Sequence, residues 1–89
     1  MMEKVFNEEK LSENIFKRTF SEKVKQEKLV WHRDKEDRII SSPQTSDWML
    51  QIDNQLPKKI KKEFIPKNVF HRLIKGSGDL ELIIEKIQS

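Results

Sequence analysis

From residue 29 onward the apolar residues recur at every second position, in short runs broken by turn formers, and this pattern suits an antiparallel sheet rather than helices. Trp48, Leu50 and Ile52 share one face of an extended segment, opposite Met49, Gln51 and Asp53. Leu80, Leu82 and Ile84 do the same opposite Glu81, Ile83 and Glu85. Leu29 to Asp34 also alternates, Arg38 to Ser41 continues or re-enters a strand, and Ile60 to Ile65 is expected to form a hairpin with Val69 to Ile74. Turn residues separate the runs: Ser42 to Ser46, Asp53 with Asn54 and Pro57, Pro66 with Asn68, and Lys75 to Asp79, where Gly76 and Gly78 can supply positive φ. Strands this short, spaced about ten residues apart, predict a mainly β fold, a small antiparallel barrel or sandwich.

The first 28 residues read differently. Leu11, Ile15, Phe16 and Phe20 recur at helical intervals of four or five, and Thr19 with Glu22 has the T-x-x-E spacing of a capping box. This predicts an N-terminal helical segment, one helix or two short ones. An early strand through Ile15 to Phe20 is the alternative, because Phe and Thr also favour strands. The chain is accordingly divided into residues 1–28, a helical or extension segment packing on the barrel or on a partner subunit, and residues 29–89, the barrel itself.

Eighty-nine residues hold one small domain. Val, Ile, Leu and Phe together number 26, enough to argue against disorder despite a charged fraction of 37%. Cysteine is absent, which excludes disulfides, thiolate-bound zinc and thiol nucleophiles. Stability must therefore come from packing or association, and a homodimer is expected because so short a chain buries a small share of its surface. No apolar run is long enough to span a bilayer, and Met1, Met2, Glu3 and Lys4 open no hydrophobic leader, so the expected location is the cytoplasm. The net charge of +3 is spread over both halves and implies no basic field for nucleic acid. Lys58, Lys59, Lys61 and Lys62 could touch phosphates, but lysines guarding an edge strand produce the same pattern. Gly76 and Gly78 lack the third glycine and following helix of a dinucleotide fingerprint, and no nucleophile elbow or Walker loop is present.

Two segments carry a specific signal. In Pro66-Lys67-Asn68-Val69-Phe70-His71, a proline and a residue tolerant of left-handed φ turn the chain so that a histidine emerges in the next strand. In Trp31-His32-Arg33-Asp34-Lys35-Glu36, the histidine and the aspartate two places on would face the same way from one strand.

The first segment resembles the second motif of the cupin superfamily, P-x-G-x-x-H, with Pro66 and His71 matching and Asn68 at the glycine position. The second resembles a degraded first motif, in which His32 is present, Asp34 replaces the second histidine and Glu36 falls at a different offset. The likeness covers roughly residues 29–87 and implies a minimal cupin-like jelly roll, similar to small proteins of marine bacteria and their phages. It further implies that His71 faces His32 and Asp34 across the barrel, with Glu36 as an alternative carboxylate. Two imidazoles and one carboxylate would suit Fe(II), Mn(II) or Zn(II). Read as a ligand-binding mouth, the same region comprises His32, Asp34, Arg38, Gln51, His71 and Arg72. Asp34 or Asp37 paired with Arg38 or Arg72 would explain these charges without a metal. Two functions follow: a ligand- or partner-binding barrel without catalysis, or a metal-dependent enzyme.

Overall fold

The computed structural model describes residues 5–87, which form eight strands and one short 3₁₀ turn. In chain order the strands are β1 (Asn7–Lys10), β2 (Ile15–Phe20), β3 (Asp37–Ser41), β4 (Met49–Ile52), β5 (Lys58–Lys59), β6 (Lys62–Ile65), β7 (His71–Ile74) and β8 (Leu80–Ile87). They make two antiparallel sheets, one ordered β1-β2-β8-β3-β6 and the other β5-β4-β7. A single cluster of buried side chains joins them. Phe20, Ile40, Ile65, Leu80, Leu82 and Ile84 come from the larger sheet, and Trp48, Leu50, Ile52 and Leu73 from the smaller sheet or its approach. Each such side chain removed from water contributes about 1.5–3 kcal/mol before entropy is counted.

The alternation read in β4 and β8 is realised: Leu50 and Ile52 are buried with Trp48, and Leu80, Leu82 and Ile84 are buried in β8. Trp48 donates its indole N–H to the Gly78 carbonyl at 3.1 Å, which satisfies its one polar atom inside the core. The Lys75–Asp79 loop crosses close to this point. A Cβ on Gly76 would lie 2.6 Å from the Trp48 backbone nitrogen, so only glycine fits there.

Three expectations change. Among the described residues the N-terminal segment contains no α-helix; it is the hairpin β1–β2, and β2 is hydrogen-bonded to β8 along its length, from Ile15 opposite Glu85 to Phe20 opposite Leu80. The strand alternative prevails because β8 would otherwise present a long open edge, and pairing also buries Phe20. Ile60–Ile65 and Val69–Ile74 do not form a hairpin: β6 pairs with β3 in the larger sheet and β7 with β4 in the smaller. Pro66 and Asn68 carry the chain from one sheet to the other instead. Finally, Leu29 to Asp34 is no full strand. After the 3₁₀ turn at Gln26–Lys28 it touches β7 through one bridge, His32 opposite His71, with backbone hydrogen bonds of 3.0 and 2.9 Å.

The four lysines lie where edges need guarding. β5 ends the smaller sheet and β6 the larger, and Lys58, Lys59, Lys61 and Lys62 are exposed. Lys58 reaches Glu63 at 2.9 Å. Among the described residues no helix is long and apolar enough to cross a membrane.

Candidate metal centre

The turn at Pro66–Asn68 does locally what its residues suggest. Asn68 has φ 65°, in the left-handed region that a glycine would otherwise serve, and its backbone N–H donates to the Asp34 carbonyl at 2.7 Å. The next residue back, Lys67, donates its backbone N–H to Asp37 Oδ1 at 2.7 Å. The turn that launches His71 is thus stitched to the segment that carries Asp34. The single bridge between His32 and His71 supplies the third attachment.

Three side chains converge as a result. One ligand atom from each of His32, Asp34 and His71 lies within 4.8 Å of the other two. His71 Nε2 and Asp34 Oδ2 are 3.2 Å apart, and the two imidazole rings meet edge to face with centroids 4.3 Å apart. His71 is buried, Asp34 half-buried and His32 exposed.

Backbone carbonyls set the tautomers. A carbonyl oxygen only accepts, so the Nδ1 of His71, 2.9 Å from the Val69 carbonyl, carries the proton and donates it. His32 repeats this arrangement, with Nδ1 3.1 Å from the Val30 carbonyl. Each neutral ring is left with its lone pair on Nε2. Burial is the main influence on His71 and holds its pKa below the ordinary histidine value, and positive charge on Arg38, or on His32 when protonated, acts the same way. The bond to Val69 and the Asp34 carboxylate oppose them. A neutral His71 thus turns a lone pair toward a carboxylate oxygen. Although they lie at ion-pair distance they make no hydrogen bond, and Asp34 Oδ2 is a buried oxygen without a donor. Lone pairs of neutral imidazoles beside an orphaned carboxylate oxygen are the donor set a divalent cation requires. The residues present fit such an ion.

Arg38 flanks the cluster and is itself buried in β3. It donates from Nε at 3.1 Å and from Nη2 at 2.8 Å to Glu36 Oε1, and its Nη2 lies 3.3 Å from Asp34 Oδ1. Its hydrogen bonds pull the Glu36 carboxyl below the usual range. Glu36, the alternative carboxylate, is therefore held by Arg38 and is not among the converging atoms. Gln51 and Arg72 are not brought to the cluster either. They pair across β4 and β7, Arg72 Nε donating to Gln51 Oε1 at 3.0 Å, and alternate with Leu50, Ile52, His71 and Leu73, so they face away from the core. Arg72 also packs its guanidinium 4.7 Å from the centre of the Trp31 ring.

Beside His32 lies a cavity of about 240 Å³, walled by Phe20, Leu29, Val30 and Leu73 and reached by Arg18. Arg18 escaped the sequence reading because a helix was preferred for its segment. In the strand alternative, its place between Phe16 and Phe20 marks a charge in an apolar row.

No protein-family model matches the sequence, and no curated protein matches it. Solved structures do. The chain is similar to a DMSP lyase at 10% identity with a TM-score of 0.70, over 84% of this chain and 38% of the lyase. It is similar to a Ralstonia eutropha JMP134 protein provisionally assigned as a mannose-6-phosphate isomerase, at 12% identity and TM-score 0.68, over 96% of this chain and 84% of that one. The FeII form of HppE matches at 12% identity and TM-score 0.62, over 82% of this chain and 41% of HppE. At such identities the likeness is one of fold, and the chain spans well under half of the lyase.

Proposed function

We propose that this protein, whose fold is that of the cupins, binds one divalent metal ion through His32, Asp34 and His71 and presents it to a small ligand. The two sheets are read as the halves of a jelly roll with the centre at one end. The observation that carries the proposal is Asp34 Oδ2, buried without a donor 3.2 Å from an imidazole nitrogen whose proton sits on the opposite side of the ring. Fe(II), Mn(II) or Zn(II) bound there would supply a Lewis acid with open positions or, for iron, a site for dioxygen chemistry. FeII in the name of one fold neighbour agrees with this choice of ions.

The chain's own residues do the positioning. Val69 and Val30 hold both rings in the tautomer that leaves Nε2 free, and Arg38 occupies Asp34 Oδ1 so that Oδ2 is the oxygen left for the ion. A second reading, a ligand- or partner-binding barrel without metal, draws on that same Arg38–Asp34 contact, which already offsets half of the carboxylate. It leaves Oδ2 unexplained. A cytoplasmic location and a homodimer belong to the same proposal, supported by the lack of cysteine and the small core.

Elemental analysis after reconstitution with Zn(II), Mn(II) or Fe(II) and desalting is the test. One equivalent of metal in the parent protein, lost in His71→Ala, is the expected result. Protein that retains no metal after reconstitution refutes the proposal.

A further inference from the structure

Strand β2 breaks its own pattern. Phe16 stands opposite Ile84 and Phe20 opposite Leu80, while Arg18 stands between them opposite Leu82, on the side of the sheet that faces the core. Charged groups are almost never placed in such a row without partners, because the loss of hydration must be offset. The Arg18 side chain retains only 16% of its exposure. Its Nε donates to Glu8 Oε1 at 3.2 Å, and its guanidinium carbon lies 4.2 Å from the centre of the Phe6 ring, over its face. Among the described residues that Nε contact is its one hydrogen bond, so the remaining side of the fork meets no acceptor from those residues.

That fork borders the cavity of about 240 Å³. At about 30 Å³ per molecule the space equals roughly eight waters, below the range of about 300–1,000 Å³ typical of drug-sized sites. Its walls are chiefly Phe20, Leu29, Val30 and Leu73, with exposed Lys28 and His32 as the other polar members. Apolar walls favour a hydrocarbon body, and two cations exclude a positively charged one. Glu8 already offsets part of the Arg18 charge, which suits a single negative charge better than a dianion. A planar guanidinium matches the two oxygens of a carboxylate.

We infer that this cavity binds a small monocarboxylate of about eight to ten non-hydrogen atoms in all, with an apolar body and its carboxylate held by Arg18. Arg18 is supplied by a different strand from the metal ligands, so the inference goes beyond the metal proposal and does not depend on it. His32 is common to both and places the ligand beside the centre.

The test is an amide-shift NMR titration of chelator-treated protein with hexanoate, 1-hexanol and hexylammonium. Hexanoate should shift Phe20, Leu29, Val30 and Leu73 saturably. Hexanol, which cannot accept charge-assisted hydrogen bonds, should bind about 10- to 100-fold more weakly, and hexylammonium more weakly still. Arg18→Gln should reduce hexanoate to the level of hexanol, and Arg18→Lys should restore part of the difference. The hexanol comparison uses the parent protein, so it decides the matter even if an Arg18 variant does not fold. Equal affinity for hexanol and hexanoate, or no saturable shift at these amides, overturns the inference. Repeating the titration without chelator, on zinc-reconstituted parent and His71→Ala protein, separates the two proposals, because His71 does not line the cavity. Hexanoate affinity should stay within twofold there even as metal is lost. A tenfold loss would make the carboxylate a ligand of the centre and overturn its assignment to Arg18.

Discussion

Replacing Asp34 with asparagine separates the structural role of this side chain from the role proposed for it in holding a metal ion. In the metal-free protein the aspartate has one oxygen 3.3 Å from the Arg38 guanidinium and the other buried 3.2 Å from the lone pair of His71 Nε2. An orphaned buried acceptor of this kind costs about 1–3 kcal/mol. The asparagine oxygen can keep the Arg38 contact while the amide nitrogen donates to Nε2, which removes that cost. Against this stands a weaker attraction to Arg38, worth about 1 kcal/mol here because Glu36 still holds the guanidinium with two hydrogen bonds. Asp34→Asn is therefore expected to leave the metal-free protein within about 1 kcal/mol of the parent, or slightly above it. Zinc should part the two. A ligand present at about one hundred times its Kd stabilises a folded protein by about 2.7 kcal/mol, which for a domain of this length raises Tm by about 11–22 °C. Thermal melts followed by circular dichroism, with chelator and with zinc, should show that rise in the parent and a loss of most of it in Asp34→Asn. A zinc-dependent rise equal in both proteins would refute the reasoning, as would a metal-free variant several kcal/mol less stable.

Other consequences are independent of metal. In the chelated protein His71 titrates below the ordinary histidine value, so as pH falls through about 6.5 the unfolded chain takes up its proton first. Stability is therefore retained above that pH and lost as pH drops toward the lowered His71 pKa; urea midpoints at pH 7.5 and 5.5 should differ in the parent and differ less in His71→Gln. Gly76→Ala should cost about 1–3 kcal/mol, because its Cβ would press on the Trp48 backbone nitrogen, whereas Gly78→Ala has open space and should lose about 1 kcal/mol for its φ of 69°. Chemical denaturation checks both. Asn68→Gly should be nearly neutral and Asn68→Val should lose about 1–2 kcal/mol, since a β-branched residue is strained at φ 65°.

Where a segment's environment is its own sheet face, the sequence was legible. Trp48, Leu50 and Ile52, and then Leu80, Leu82 and Ile84, announce their burial by alternation alone. Asn68 announces its left-handed turn by residue type, and His71 follows three residues later. Legibility failed where a partner elsewhere in the chain decided the outcome. Ile15 to Phe20 satisfies a helical spacing as well as a strand, and the open edge of β8 resolves the ambiguity. Ile60–Ile65 and Val69–Ile74 are adjacent along the chain, but β3 and β4 claim them for different sheets. Gln51 and Arg72 are as polar as the converging residues and face the other side of the sheet.

Periodicity and turn chemistry are local properties, and by themselves they determine that this chain forms short antiparallel strands, where several of its turns fall and which faces of its clearest strands are apolar. Which strands become neighbours depends on edges that only a paired partner satisfies, and that information is spread over the whole chain. The sequence therefore supplies the histidines and the aspartate as residue types, while the tertiary structure brings His32, Asp34 and His71 within 4.8 Å of one another and turns Glu36 to Arg38. It also places Arg18 in an apolar row, because strand pairing fixes the direction of every second side chain at once.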